Sequence, residues 1–313
     1  MEPLFLQPVF QERIWGGDAL RTQFGYEIPS NRTGECWAIS AHPNGPSTVM
    51  NGPYKGQTLD RLWKEQPQLF GHPKEDVFPL LTKILDANMD LSVQVHPDDA
   101  YAKEHENGEL GKTECWYILD CKPGASLIYG HSAKTKEEFI QLMKDGNWDG
   151  LLNRVSIKPG DFFYVPSGTI HALCEGTLVL ETQQSSDTTY RLYDYGRTDD
   201  QGNPRELHVD KSLEVATIPH KAEAPQATFE QRGHAKIMKY LESEFFSVYK
   251  WMISDCTPFA YDTYMLCSVI DGEGVLKKEN EEYALKKGDH FILPNGFGEF
   301  TICGKVDIIA SHV

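Results

Sequence analysis

The chain has 313 residues and a formal charge of −16, with 46 acidic against 30 basic side chains. Such a surface repels nucleic acid and anionic lipid, so neither is an expected partner. No run of about 18 apolar residues is present, so no membrane-spanning helix is expected, and the length allows two domains with cores of their own.

The opening stretch MEPLFLQPVFQERIWGG lacks the basic-then-apolar layout of a signal peptide. The seven cysteines are odd in number and include no CxxC pair, a pattern of reduced thiols rather than a disulfide framework. Both features point to a cytoplasmic protein. WGG at 15–17 reads as turn and core. Strand signals then follow one another, short and bounded by Gly, Pro, Asn or Asp: ECWAIS (35–40), LLTKILDA (80–87), LSVQVH (91–96), ECWYIL (114–119), ASLIYG (125–130), FFYVP (162–166) and TLVLETQ (177–183). FFSVYKWMI (245–253), YMLCSVID (264–271), FILP (291–294) and KVDIIA (305–310) continue the series. Helical spacing is rarer. It occurs in TLDRLWKEQPQLFG (58–71), in TKEEFIQLMKDGNWDGLL (135–152) with Thr135 as its cap, and in RELHVDKSLEVAT (205–217). Many short strands with interposed helices predict jelly rolls or barrels.

KPGDFFYVPSGTIHAL (158–173) and KKGDHFILPNGFGEFTI (286–302) align without gaps over Gly-Asp, an aromatic strand and Pro-x-Gly. The chain therefore repeats a turn–strand–turn unit. One copy continues to His171; the other has Glu299 in its place. Two β units are expected, 1–235 and 236–313, divided within the polar stretch 220–236. The second unit is expected to lack a metal site and to brace the first.

Side chains alternate along a strand, so Gln94 and His96 in SVQVHPDD share a face, and Pro97 ends the strand. Glu114 opens another strand, and His171 follows the Pro-x-Gly turn. Imidazole nitrogen and carboxylate oxygen suit Zn²⁺, and two His with one Glu is a known catalytic set. Local spacing alone does not distinguish such ligands from buried core histidines. The string G-x5-P-x-G-x-x-H, Gly160 to His171, matches the second signature of the cupin barrel. His72, His131, His208 and His234 read as loop or surface residues.

Taken together, LSVQVHPDD, GKTECWYIL, GDFFYVPSGTIHALCEG and LETQQSSDTTYRLYDYGR resemble the type I mannose-6-phosphate isomerases, in their short bacterial form. The resemblance implies two cupin (jelly-roll) β-barrels with a helical insertion in the N-terminal part. It implies one Zn²⁺ per chain, held by Gln94, His96, Glu114 and His171, and interconversion of mannose 6-phosphate and fructose 6-phosphate. It makes Arg191 the active-site arginine, and Ser92 and Arg197 contacts of the substrate phosphate. It makes His42 and Asp187 a ring-opening pair. The expected partner is a small sugar phosphate, and the expected state a monomer or weak homodimer.

Moving a proton between C1 and C2 needs a base and a group that holds developing negative charge. Lys112, on the same strand face as Glu114, is one candidate base, if a neighbouring cation and burial depress its pKa. Its other reading is a salt bridge to Glu114 at a rim. Glu181 is the rival proton-transfer group. Two further classes stay open. One is a non-catalytic metal-bearing cupin that binds or senses sugar phosphate; the other is an Fe(II) oxygenase built on the same triad.

Overall fold

The computed structural model describes residues 1–199 and 201–313. Its N-terminal part is a sandwich of two antiparallel sheets. The six-stranded sheet runs Phe162–Val165, Glu114–Cys121, Thr177–Gln184, Leu80–Ala87, Thr33–Ile39 and Val9–Gly17. The five-stranded sheet runs Tyr190–Tyr193, Val93–Val95, His171–Leu173, Ser126–His131 and Leu152–Ser156. The strands form open paths rather than closed barrels. Leu85, Trp116, Ile118 and Val179 of the first sheet share a core with Leu127, Tyr129 and Leu173 of the second.

The six-stranded sheet is covered on both faces, which is why LLTKILDA and TLVLETQQ are buried at every position. Its outer face, with Cys36, Ile84, Cys115, Tyr117, Leu178 and Leu180, packs on two other layers. One is the helix Leu59–Glu65, through Leu59, Leu62 and Trp63. The other is the C-terminal unit, through Phe246, Val248, Leu266, Ile292 and Ile309. The helix Lys136–Lys144 covers the outer face of the five-stranded sheet with Phe139, and Thr135 caps it by accepting from the Glu138 amide at 3.2 Å.

The C-terminal unit is a ten-stranded sheet whose inner face is filled by apolar side chains, among them Trp251, Phe259, Phe291 and Ile308. Two strands of the N-terminal part join it. Leu4–Gln7 pairs with His290–Leu293 and with Thr48–Val49, so hydrogen bonding crosses the expected division at residue 235. The internal repeat is visible bond for bond. The Lys158 amide donates to Asp161 Oδ2 at 2.9 Å and the Lys286 amide to Asp289 Oδ2 at 2.8 Å. Gly160 and Gly288 both need a positive φ, 90° and 92°, to make that turn. Glu299, which takes the place of His171, is exposed.

Three expectations are corrected. Cys256 and Cys303 form a disulfide, because the antiparallel register Thr257↔Ile302 sets them opposite one another; the remaining five thiols are free. WGG closes the strand Val9–Gly17 rather than forming a turn. His131 is buried, with Nε2 3.0 Å from the Thr217 carbonyl and its ring edge-on to Phe139.

A buried relay ties the two units together. Tyr26 donates to the Gly288 carbonyl at 2.9 Å and accepts from His290 Nε2 at 2.8 Å, while His290 Nδ1 accepts from Ser268 at 2.9 Å. Tyr26→Phe leaves two buried polar groups unpaired. The expected loss is about 1–3 kcal/mol in urea unfolding with an unchanged m-value. An unchanged midpoint would show that the relay contributes nothing.

Candidate active site

Strand alternation and register build the site as two facing rows. On the six-stranded sheet, Trp37, Lys83, Glu181 and Trp116 are direct neighbours across four strands. On the five-stranded sheet, Arg191, Gln94, His171 and Tyr129 are direct neighbours across four strands. Trp116 meets the His171 ring edge-on at 5.3 Å and so joins the rows. Between them lies a cavity of about 360 Å³, lined by residues that include Lys83, Ser92, Gln94, Lys112, Glu181 and Arg191.

His96, Glu114 and His171 converge beside Gln94 and Lys112 of the cavity lining, each 1 % exposed, with donor atoms within 4.8 Å of one another. Each imidazole uses Nδ1 on a backbone carbonyl: His96 on Thr188 at 2.9 Å, His171 on Thr169 at 2.8 Å. Burial is the largest influence on both rings and holds them neutral, His171 at about 4 and His96 well below its ordinary value. A neutral ring that donates from Nδ1 presents a bare lone pair at Nε2. Those lone pairs face Glu114 oxygens at 3.5 Å from His96 and 3.3 Å from His171. Acceptor facing acceptor is unfavourable without a cation between them. Donors about 2.0–2.1 Å from a tetrahedral ion would lie roughly 3.3 Å apart, so the set fits a divalent metal. The carbonyl partners are the outer-shell groups such a site uses to orient its imidazoles. The Gln94 amide lies 3.4 Å from His171 Nε2 and, turned over, offers its oxygen to the same point.

Lys112 stands beside the triad, 2.9 Å from Glu114 Oε2 and 3.2 Å from His96 Nε2. The depression expected of Lys112 presumes a cation beside it; among the protein's own groups the balance runs the other way. Burial pulls its pKa down, but Glu114 and Glu181 together outweigh burial and hold it above the ordinary lysine value. The side chain is thus an ammonium in an ion pair, and the pair is buried rather than at a rim. Glu181 behaves in the opposite way. Burial and the neighbouring Glu114 raise its pKa, while Trp116 Nε1 donates to it at 2.9 Å.

Lys83 is a site residue that no motif flagged. It is 4 % exposed, 3.8 Å from Glu35, 4.0 Å from Asp187 and 4.7 Å above the Trp37 ring. The available signal was a lysine in the middle of the strand-like, mostly apolar LLTKILDA. Arg13 also lines the cavity and grips Glu35 through two bonds, at 2.9 and 3.2 Å. Asp187 is on the cavity wall, whereas His42 stands behind it. Asn44 bridges them, donating its side-chain amide to Asp187 at 3.1 Å and its backbone amide to His42 Nδ1 at 3.2 Å.

The segment that carries Lys112 and Glu114 is clamped from behind. The Gly111 amide donates to Asp99 Oδ1 at 2.7 Å, and the Thr113 amide to Gln184 Oε1 at 2.8 Å. Gln184 in turn donates to Asp99 at 3.0 Å. Asp99 begins a helix, Asp99–His105, absent from the sequence reading, with Asp98 as its cap. Ser92 lines the cavity; Arg197 does not, and Arg205 does.

His96→Gln and His171→Gln should each weaken divalent-metal binding by more than about 100-fold, since outer-shell partners alone are worth about 10–100-fold. Metal content after dialysis against a weak chelator checks this. Wild-type retention in both variants would remove the triad from metal binding.

Comparison with known proteins agrees along the whole chain. Residues 4–119 match the family described as Phosphomannose isomerase type I, catalytic domain, and residues 236–313 match Mannose-6-phosphate isomerase, cupin domain. A protein named Probable mannose-6-phosphate isomerase GmuF, from Bacillus subtilis, is 61% identical over 99% of both chains. Mannose-6-phosphate isomerase ManA of the same organism is 56% identical, over 100% of this chain and 99% of its own. The crystal structure of the mannose 6-phosphate isomerase from Bacillus subtilis superposes with a TM-score of 0.99 at 58% identity, over 100% of both chains. A mutant phosphomannose isomerase from Salmonella typhimurium, 16% identical over 100% of this chain and 99% of its own, gives 0.81 and shares the fold. The chain belongs to the type I phosphomannose isomerase family.

Proposed function

We propose that the protein interconverts mannose 6-phosphate and fructose 6-phosphate by proton transfer through an enediolate, with one Zn²⁺ per chain. The observation that carries this reading is the pair of facing rows. With Lys112 beside them, they set a raised-pKa carboxyl, Glu181, and the cations Lys83 and Arg191 around one cavity next to a metal-type donor set. The relatives named as mannose-6-phosphate isomerases support it.

His96, Glu114, His171 and the Gln94 oxygen would hold the zinc, which when bound supplies positive charge that polarises substrate oxygens. Glu181 takes the proton from C2 and returns it to C1, because a carboxyl pushed up by burial is a better base than an ordinary one. Lys112, kept as an ammonium by Glu114, and Arg191 stabilise the charge that develops on the enediolate oxygens. Lys83, directly across the strand pair from Glu181, holds that carboxylate ionised between turnovers. Asp187 on the wall, with His42 behind it, serves opening of the sugar ring. Trp37, Trp116 and Trp15 keep the pocket dry, which strengthens each of these interactions.

The unit 1–235 carries this chemistry, and the unit 236–313 braces it without a metal of its own. No helix among the described residues is long and apolar enough to cross a membrane. A cytoplasmic monomer or weak homodimer acting in mannose metabolism completes the proposal.

An assay coupling fructose 6-phosphate formation to a chromogenic readout tests it, run on zinc-loaded and chelated protein. Chelation should abolish turnover and zinc should restore it. Arg191→Ala should lower kcat by about 10²–10³, the usual cost of one oxyanion donor. Zinc-replete wild-type protein without isomerisation would leave a binding or sensing role instead.

A further inference from the structure

At the end of the cavity lined by Arg191 and Arg205, two guanidinium groups grip one carboxylate and a third stands nearby. Asp194 is 5 % exposed. Its Oδ1 accepts from Arg205 Nη2 at 2.6 Å and from Arg197 Nη2 at 2.5 Å, and its Oδ2 accepts from Arg205 Nε at 2.8 Å. Arg197 is further committed, because its Nη1 donates to the Asp90 carbonyl. Arg191 donates Nη1 to the Glu206 carbonyl at 2.8 Å, while its Nε is buried without a partner.

Arg205 and Arg197 share the carboxylate of Asp194, and Arg191 stands beside them within the influence of Asp194 and Glu206. Burial first, and then the proximity of Arg205 and Arg197, make Arg191 less willing to stay charged. Asp194 and Glu206 offset part of that crowding, and an anion in the cavity would relieve it further. Arg205 is placed to meet such an anion. It lines the cavity with Arg191 and Ser92, and Asp194 fixes its plane through two bonds that leave Nη1 uncommitted among the described residues. The segment that carries it is pinned to the strand Tyr190–Tyr193, since the His208 amide donates to the Arg191 carbonyl at 2.7 Å and the Arg191 amide to His208 Nδ1 at 3.1 Å. Arg197, though near, is a strut between Asp194 and Asp90 and does not reach the cavity wall.

We propose that Arg205, oriented by Asp194, is the residue that fixes the substrate's phosphate, together with Arg191 and Ser92. The proposal rests on the isomerase reading for the identity of the ligand. A phosphate suits a group of neighbouring guanidiniums, and a planar guanidinium held at its far edge offers its remaining N–H groups as a preset fork. Arg191 sits between Gln94 and this end, so the sugar's reacting carbons lie toward the metal donors and its phosphate toward Arg205. Asp194 is a positioning residue and makes no contact with substrate.

The test uses full-length zinc-loaded protein as wild type, Arg205→Ala, Arg205→Lys and Asp194→Asn. Steady-state kinetics give KM and kcat for mannose 6-phosphate and the inhibition constant of inorganic phosphate. Calorimetry gives phosphate affinity directly. Arg205→Ala should raise KM and both phosphate constants by a common factor of about 10–100, with kcat within about threefold, as for loss of a charged hydrogen bond. Arg205→Lys should fall between, keeping the charge and losing the fork. Asp194→Asn should move the same constants in the same direction. Unchanged KM and phosphate affinity in Arg205→Ala, at wild-type zinc content and melting temperature, would overturn the assignment. So would a kcat loss at constant KM. Wild type that binds phosphate through Arg205 without isomerising sugar would uphold the anion site and defeat the isomerase reading.

Discussion

A carboxylate buried between two neutral imidazoles is the constraint around which this molecule is arranged. Removing Glu114 from water costs several kcal/mol unless its charge is met at close range. Lys112 meets one oxygen at 2.9 Å and His96 Nε2 at 3.2 Å, which leaves the His171 lone pair and the second Glu114 oxygen, 3.3 Å apart, to a further cation. None of these groups could be held there by a single strand. His96 and His171 come from one sheet and its margin, Glu114 from the other, and a sandwich with its polar rows turned inward satisfies all three. The carbonyls of Thr188 and Thr169 then choose the tautomer in which Nε2 is free.

Burying so much charge requires a rigid surround. The six-stranded sheet has its second face covered by the C-terminal unit, which shares a hydrophobic core with it. That unit repeats the Gly-Asp turn of the first and ends in an exposed Glu299 where the first has His171. Its own interior is apolar, whereas the first copy turns polar rows inward. The Tyr26–His290–Ser268 relay and the Leu4–Gln7 strand fasten the two, so residue 235 divides the sequence more cleanly than it divides the hydrogen bonds.

Much of this was legible in the residues. LLTKILDA forms a strand with the expected bounds, and the alternation of Gln94 with its apolar neighbours correctly put it on an inner face. The repeated turn was readable because glycine at a positive φ leaves a sequence mark. What alternation cannot tell is which strands become neighbours. Lys83 and Glu181 oppose each other at a separation of 98 positions, and Gln94 and His171 at 77, so their partnership follows from topology alone. Cys256 and Cys303 are 47 positions apart and carry no local motif, so their disulfide was invisible for the same reason. The resemblance pointed to Arg197 and no motif marked Arg205, yet the chain's return at 204–208 brings Arg205 to the cavity wall.

The central claim is that Glu114, His96 and His171 surround one metal ion. Metal-edge X-ray absorption on protein carrying one equivalent of zinc tests it most directly. The account predicts two imidazole nitrogens and further oxygen ligands at about 2.0–2.2 Å, with no sulfur in the shell. A sulfur scatterer near 2.3 Å, or a shell of oxygens without imidazole, would contradict it.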